Sequence, residues 1–316
     1  MISGSMPLEQ VIKHLVHHGC PNISTHLDLS LCNETAISRG GFGDVYQGRL
    51  LDGTKIAIKC LRLYVDTGED NQKALKYAAR ELYTWSKCKH PNVIKLLGLA
   101  EFRGQIAMVS PWIESGNVSS LNKANHTIDR CLLCVQIAEG LAYLHQIGIV
   151  HGDLKGANVL LSDGRVAQLA DFGNALMRSS TLDFTESTTR SQLSTRWAAP
   201  EQLDGLVSCS LHADVFSLGM TILEVISRRQ PYCHTKKDIA VITTILVKRQ
   251  HPQRPEDTIP TASKQGNTLW SLLERCWSWE PEDRPDASRV TTEYMIMDSL
   301  LTYCSDEDNQ PRRTVR

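Results

Sequence analysis

Between Val150 and Gly173 two carboxylates, an ammonium and a carboxamide stand at the ends of short apolar runs. The stretches are Val150-His151-Gly152-Asp153-Leu154-Lys155-Gly156-Ala157-Asn158 and then Asp171-Phe172-Gly173. Ile147 to Val150, Val159 to Leu161 and Val166 to Ala170 are apolar and bounded by Gly and Asp. Such runs read as buried strands with polar groups at their ends. Asp163-Gly164 is a hairpin turn signal between the second and third, and a hairpin there delivers Asn158 and Asp171 to one edge of a small sheet. Carboxylate and amide oxygens are hard ligands suited to Mg²⁺, which recruits one or two protein ligands beside phosphates and water. Asp153 is then free to orient or deprotonate an attacking hydroxyl, and Lys155 to neutralise charge on a transferring phosphoryl group. The bland alternative is a pair of turns whose Asp and Asn cap backbone groups. It accounts for either motif alone, but not for their order and spacing.

A second constellation lies upstream. Lys55-Ile56-Ala57-Ile58-Lys59 alternates with period two, so Ala57 and Lys59 share one face and Ile56 and Ile58 the other. Leu75, Ala78, Leu82 and Trp85 form the apolar stripe of a following helix, and Glu81 projects from the same inward side. A buried carboxylate there needs a cation, and Lys59 is the obvious partner. Before that strand comes Ile37-Ser38-Arg39-Gly40-Gly41-Phe42-Gly43-Asp44-Val45, a glycine-rich hairpin whose missing side chains let backbone N–H groups approach phosphates.

Taken together these stretches resemble the eukaryotic protein kinases. The resemblance runs over residues 31 to 302, and Arg196-Trp197-Ala198-Ala199-Pro200-Glu201 with Cys276-Trp277 is most similar to the tyrosine-kinase-like group of serine/threonine kinases. It implies ATP and Mg²⁺ as cofactors, with Asn158 and Asp171 as metal ligands and Asp153, Lys155, Lys59 and Glu81 as the catalytic set. Lys59 would contact the α- and β-phosphates and be held by Glu81. Ser38, which stands where the family has its first glycine, would cover the phosphates together with Gly40, Gly41, Phe42 and Gly43. Val45, Ala57 and Leu160 would sandwich the adenine, with Ile37 at its edge. The hinge would be 111–116, where the Pro111 carbonyl and the Ile113 N–H pair with adenine and Ser110 guards the pocket behind it. Proline is tolerated at 111 because that position needs only a carbonyl. Gly152 replaces the family's usual arginine, which implies that activity does not depend on pairing that charge with a loop phosphate. Ser194 matches the hydroxyl residue that serine/threonine kinases carry before Ala-Pro-Glu. Residues 174–194 read as the activation loop, with Thr185, Ser187, Thr188 and Thr189 as phosphorylatable positions. The resemblance further pairs Arg284 with Glu201 and has Asp214 hold the catalytic-loop backbone.

Composition limits the alternatives. The 316 residues suffice for two lobes, and the net charge of −1 gives no electrostatic case for nucleic acid or an anionic membrane. No apolar run reaches the roughly 18 residues of a membrane span, and the first residues lack the regions of a secretory signal. Ten scattered cysteines suit a reducing compartment, so a cytoplasmic protein is expected, with the nucleus also open. Cys131 and Cys134 have no second pair for zinc and fit a helix with Leu132, Val135, Ala138 and Leu141. His14, His17, His18, Cys20 and His26 fit no common metal spacing. Leu8, Val11, Ile12, Leu15 and Val16 recur at helical spacing before Gly19 and Pro21, predicting a short amphipathic helix docked on the main domain. A further helix is expected from Thr127, as its cap, through Ile128 to about Gln146, and Cys88-Lys89-His90-Pro91-Asn92-Val93 is expected to end the preceding helix and enter another strand.

The expectation is therefore an α+β, bilobal protein-kinase fold: a small, mostly antiparallel-sheet lobe over 31–110 with one helix, the hinge, and a larger helical lobe over 117–302. An N-terminal extension over 1–30 precedes it, and a polar, disordered tail over 303–316 follows. The expected activity is transfer of the ATP γ-phosphoryl group to Ser or Thr of protein substrates in intracellular signalling, with an upstream kinase or scaffold as further partner. A nucleotide-binding scaffold without phosphotransfer is the alternative, for which Ser38 and Gly152 speak. A small-molecule kinase is disfavoured by the complete Ala-Pro-Glu segment.

Overall fold

The computed structural model describes residues 6–40, 43–60, 68–121, 128–177 and 193–295, with backbone alone at 39–40 and 68–74. Gly41, Phe42, Thr127, the four hydroxyl residues of the 174–194 loop and the 303–316 tail lie outside them. The first helix, α1 (Leu8–His17), buries Val11 and Leu15 as the stripe predicts, and Gly19 at φ 93° ends it. Strands β1 (Leu27–Asp28), β2 (Ser38–Gly40), β3 (Gly43–Leu50) and β4 (Lys55–Cys60) follow. After them come α2 (Gly68–Ser86), β5 (Gly98–Phe102) and β6 (Gln105–Pro111). These strands form one antiparallel sheet in the order β1-β3-β4-β6-β5, with β2 also on β3. One sheet face has its own core of Leu27, Ile56, Ile58, Phe102 and Val109. Ile56 and Ile58 are fully buried there, which turns Ala57 and Lys59 to the opposite face.

The second lobe begins with α3 (Arg130–Gln146), then β7 (Ile149–Val150), β8 (Val159–Leu161), β9 (Ala167–Leu169) and β10 (Leu176–Met177). It continues with α4 (Pro200–Leu203), α5 (Leu211–Ser227), α6 (Asp238–Ile242), α7 (Lys264–Cys276) and a helical run over 287–295. The β8–β9 hairpin pairs Val159 with Leu169 and Leu161 with Ala167, closing through Asp163-Gly164 as expected. Helix α5 is buried along nearly its whole length, from Ala213 to Val225, and packs on α3 and α7. An α-helix that is buried on every side belongs at the centre of a lobe.

Two local expectations are corrected. Helix α3 starts at Arg130, and Asp129 caps it by accepting from Leu132 N at 3.0 Å. A carboxylate one residue before the first turn is the better acceptor. The segment after Asn92 is not yet a strand of the sheet, which resumes only at Gly98. Residues 92–94 pair across the lobes instead: Leu169 N donates to Asn92 O at 2.8 Å and Ile94 N to Leu169 O at 2.9 Å. Their backbone groups are taken by β9, so the sheet cannot recruit them.

Arg284 locks the second lobe. Its guanidinium, with no exposed side-chain surface, forms a fork on Glu201 at 2.7 and 2.8 Å and donates to His212 O at 3.0 Å. Removing one half of a buried pair strands the other charge, which typically costs about 3–5 kcal/mol. Arg284→Met is therefore expected to lower unfolding free energy in urea by about 3–5 kcal/mol, and Glu201→Leu in the same chain to recover part of it. A loss below about 1 kcal/mol, the range of an exposed pair, would contradict the lock.

Candidate functional site

The cross-strand register puts the small-lobe side of the site on one sheet face. Val45 pairs with Lys59, and Ala57 with Ser110; directly opposed residues share a face. Lys59 Nζ lies 2.7 Å from Glu81 Oε1 and 2.7 Å from Asp171 Oδ1. The side chains are 16% exposed for Lys59, 3% for Glu81 and 26% for Asp171, so the carboxylate of α2 is sealed while that of Asp171 opens outward. Burial works against the Lys59 charge, but the two carboxylates outweigh it and hold the ammonium above its ordinary range. Burial dominates at Glu81 and pushes its carboxyl up, despite Lys59. At Asp171 burial also pushes upward, but Lys59 prevails and the carboxyl stays below its usual range.

Asp171 adopts φ 66°, a left-handed backbone that turns the chain sharply after β9. Phe172, buried behind it, stacks on Trp85 of α2 at 5.7 Å and tilts against His151 at 5.6 Å. Trp85 Nε1 in turn donates to Ile94 O at 2.7 Å. A column of rings thus ties α2 to the loop after β7. That loop hangs on Asp214 at the start of α5, which accepts from His151 N at 2.7 Å, Gly152 N at 2.9 Å and His145 Nε2 at 2.9 Å. Asp153 N donates to His151 Nδ1, so Nε2 carries the proton that His151 gives to Ala170 O at 3.1 Å. Gly152 sits at φ 79°, and a Cβ there would lie 2.6 Å from Asn174 O. Its glycine serves a backbone turn as much as it removes a charge.

Asp153, Lys155 and Asn158 meet as the motif predicts. Lys155 Nζ donates to Asp153 Oδ2 at 2.8 Å and to Ser194 Oγ at 2.7 Å. Asn158 Nδ2 donates to Asp153 O at 2.8 Å and Oδ2 at 3.1 Å, while Ala170 N, beside Asp171, donates to Asn158 O at 2.9 Å. Asn158 thus spends its N–H groups on Asp153 and keeps Oδ1 for a cation. Asp171 takes both Lys59 and Gly173 N on Oδ1, keeping Oδ2. This donor set, one amide and one carboxylate oxygen, fits Mg²⁺, which needs few protein ligands. Among the described residues no cluster of three His, Cys, Asp or Glu could hold a metal by itself.

Of the residues expected to line a nucleotide, Ile37 is half-exposed and donates its N–H to Val45 O at 2.8 Å, and Ser38 pairs with Val45. Gly40 pairs with Gly43, whose φ of 141° glycine adopts readily. Pro111 ends β6, Ile113 follows it, and Asn117 bridges to Leu160 in β8. Two features escaped the sequence reading. One is the Lys59–Asp171 contact between the lobes. The other is Glu224, buried in α5, which accepts from Ser119 Oγ at 2.5 Å, Gly156 N at 2.9 Å and Trp197 Nε1 at 2.9 Å. Burial pushes its carboxyl up. A Cβ on Gly156 would lie 2.8 Å from Glu224, so the loop after β7 approaches α5 closely. A lone Glu inside the apolar run Leu218 to Ile226 was the available signal.

Lys59→Met leaves two facing carboxylates without their cation, and the expected loss is about 3 kcal/mol at pH 7. A buried carboxyl without a cation has a folded pKa above its unfolded value, so its penalty is present at high pH and fades as pH falls. The loss is therefore expected to shrink from pH 7 to pH 5. In the parent chain Asp171 has the opposite sign: its contribution is full above about pH 4 and disappears as pH falls through its lowered folded value. Urea midpoints of both chains at pH 7 and pH 5 check the first expectation and those of the parent chain below about pH 4 the second; a mutant loss that grows from pH 7 to pH 5 would contradict it.

The model of the family described as protein tyrosine and serine/threonine kinase matches residues 31–294. A probable serine/threonine-protein kinase of Dictyostelium discoideum is 30% identical over 289 residues, which is 89% of this chain and 29% of that protein. A serine/threonine-protein kinase of Arabidopsis thaliana is 30% identical over 258 residues, 80% of this chain and 42% of its own. The proto-oncogene tyrosine-protein kinase ROS of Rattus norvegicus is 30% identical over 293 residues, 84% of this chain and 12% of its own. The chain spans less than half the length of each of these relatives. With the bilobal fold and a match over most of its length, the chain belongs to the protein tyrosine and serine/threonine kinase family.

Proposed function

We propose that the protein transfers the γ-phosphoryl group of ATP to Ser and Thr hydroxyls of protein substrates within the cell. The observation that carries this reading is the Lys155 ammonium, held between Asp153 Oδ2 and Ser194 Oγ. Relatives named as serine/threonine and as tyrosine kinases are similarly distant, so their names do not choose the acceptor. The Lys155–Ser194 contact favours an aliphatic hydroxyl, because it joins the two positions at which this chain resembles serine/threonine rather than tyrosine kinases.

In this reading Val45, Ala57, Leu160 and Ile37 enclose the adenine, while Ser110, Pro111 and Ile113 line its hinge side. Ser38, Gly40, Gly41, Phe42 and Gly43 cover the phosphates. Lys59, kept charged by its two carboxylates, positions the α- and β-phosphates, and Glu81 keeps Lys59 from swinging away. Asp153 orients the acceptor hydroxyl and takes its proton as the oxygen bonds to γ-phosphorus. The bond from γ-phosphorus to the β-phosphate oxygen breaks, and ADP leaves with the electron pair. Lys155 offsets charge on the transferring group. Asn158 and Asp171 would hold Mg²⁺, which when bound neutralises phosphate charge. Positioning carries most of the acceleration in such a reaction, so small displacements are costly.

Gly152 favours a second reading, a nucleotide-binding scaffold that signals by shape. One assay separates the two: label transfer from γ-labelled Mg·ATP to a generic protein substrate, followed by phosphoamino-acid analysis. Asp153→Asn is expected to lower the rate by about 10²–10⁴-fold while nucleotide still binds, with label on Ser and Thr. Equal background label from both chains would leave the scaffold reading standing. Label on Tyr would overturn the acceptor class.

A further inference from the structure

Residues 6–30 precede the matched family segment, yet they are built into the small lobe. Helix α1 packs along α2 and buries Val11 and Leu15 completely. The chain turns at Gly19 and runs onto the edge of β5, where Leu99 N donates to Pro21 O and Ile23 N to Leu99 O, both at 2.9 Å. The fit is close: a Cβ on Gly98 would lie 2.4 Å from Pro21 O. At the far end of α2, Lys87 Nζ donates to His18 O at 2.8 Å and lies 4.7 Å from the centre of the Tyr83 ring. The His18 ring meets Tyr83 edge to face at 6.0 Å.

These contacts have a direction. At 100° per residue, Trp85 lies about 40° round α2 from Glu81, whereas Tyr83 lies about 200° away. Glu81 and Trp85 face the site; Tyr83 faces the extension. The helix is held between Lys59 on one side and residues 6–24 on the other, within a turn of Glu81 itself.

We propose that residues 6–24 form a clamp that positions Glu81, with Val11 and Leu15 as its positioning residues. The segment is tied to the sheet through β5 and presses on the outer face of α2, so it sets how far Glu81 reaches toward Lys59. The clamp rests on reading Lys59 and Glu81 as part of a nucleotide site, although its mechanical part can be tested separately.

The test uses the full chain with Leu15→Ala, which opens a cavity under α2, and Leu15→Met, which refills it. Two quantities are measured: affinity for a fluorescent Mg·ATP analogue, and amide hydrogen exchange in α2 against α5. Leu15→Ala is expected to speed exchange over 76–86 about tenfold, to leave 211–227 within about twofold, and to weaken nucleotide binding about fivefold or more. Leu15→Met is expected to restore both. If α2 and α5 loosen in step, or α2 does not respond, the segment is ordinary core and the clamp is overturned. Should Leu15→Ala fail to fold, Lys87→Gln removes the tie to His18 from outside the core; unchanged exchange in α2 would then overturn the proposal. Absence of nucleotide binding in the parent chain would defeat the nucleotide reading, while the exchange data would still decide the clamp.

Discussion

One ammonium facing two carboxylates organises the molecule. Lys59 comes from the centre of the small-lobe sheet, Glu81 from its helix, and Asp171 from the turn after β9, 112 residues along the chain from Lys59. A charge buried alone would cost far more than any hydrogen bond returns, so these elements must arrive together. The cluster holds more negative than positive charge, and its most exposed member is Asp171. The excess therefore sits where a divalent cation can offset it.

Packing supplies the rigidity that charge alone lacks. Trp85, Phe172 and His151 follow one another from α2 down to the loop after β7, and Asp214 holds that loop by two backbone N–H groups. Glu224, about three turns further along α5, grips the same loop through Gly156 N. Helix α5 thus contributes two buried carboxylates to a loop that carries Asp153, Lys155 and Asn158. Its apolar surroundings make each of those bonds difficult to exchange for water.

Much of this was legible in the sequence because it rests on short periods. Alternation over 55–59 puts Lys59 on the face of Ala57, and helical spacing turns Glu81 inward with Trp85; both hold in the fold. Asp153, Lys155 and Asn158 likewise share one set of contacts, and Ala170, the neighbour of Asp171, donates to Asn158. What could not be read depends on lobe-to-lobe pairing. Lys59 has a second partner because the turn after β9 brings Asp171 to it from the other lobe, a pairing no local pattern encodes. The strand expected after Asn92 is delayed to Gly98 because residues 92–94 give their backbone groups to β9. Glu224 gave a signal, a carboxylate in an apolar helix, but its three partners come from three other segments.

In the proposed function Lys59, Asn158 and Asp171 converge on one phosphate-bearing ligand and its metal. A crystal structure of the full chain with Mg²⁺ and a non-hydrolysable ATP analogue tests it most directly. The account predicts Mg²⁺ about 2.1 Å from Asn158 Oδ1 and from an Asp171 carboxylate oxygen, with Lys59 still joined to Glu81 and reaching the α- and β-phosphates. A nucleotide bound elsewhere, or one seated in this cleft with Asn158 and Asp171 both turned away from its metal, would contradict it.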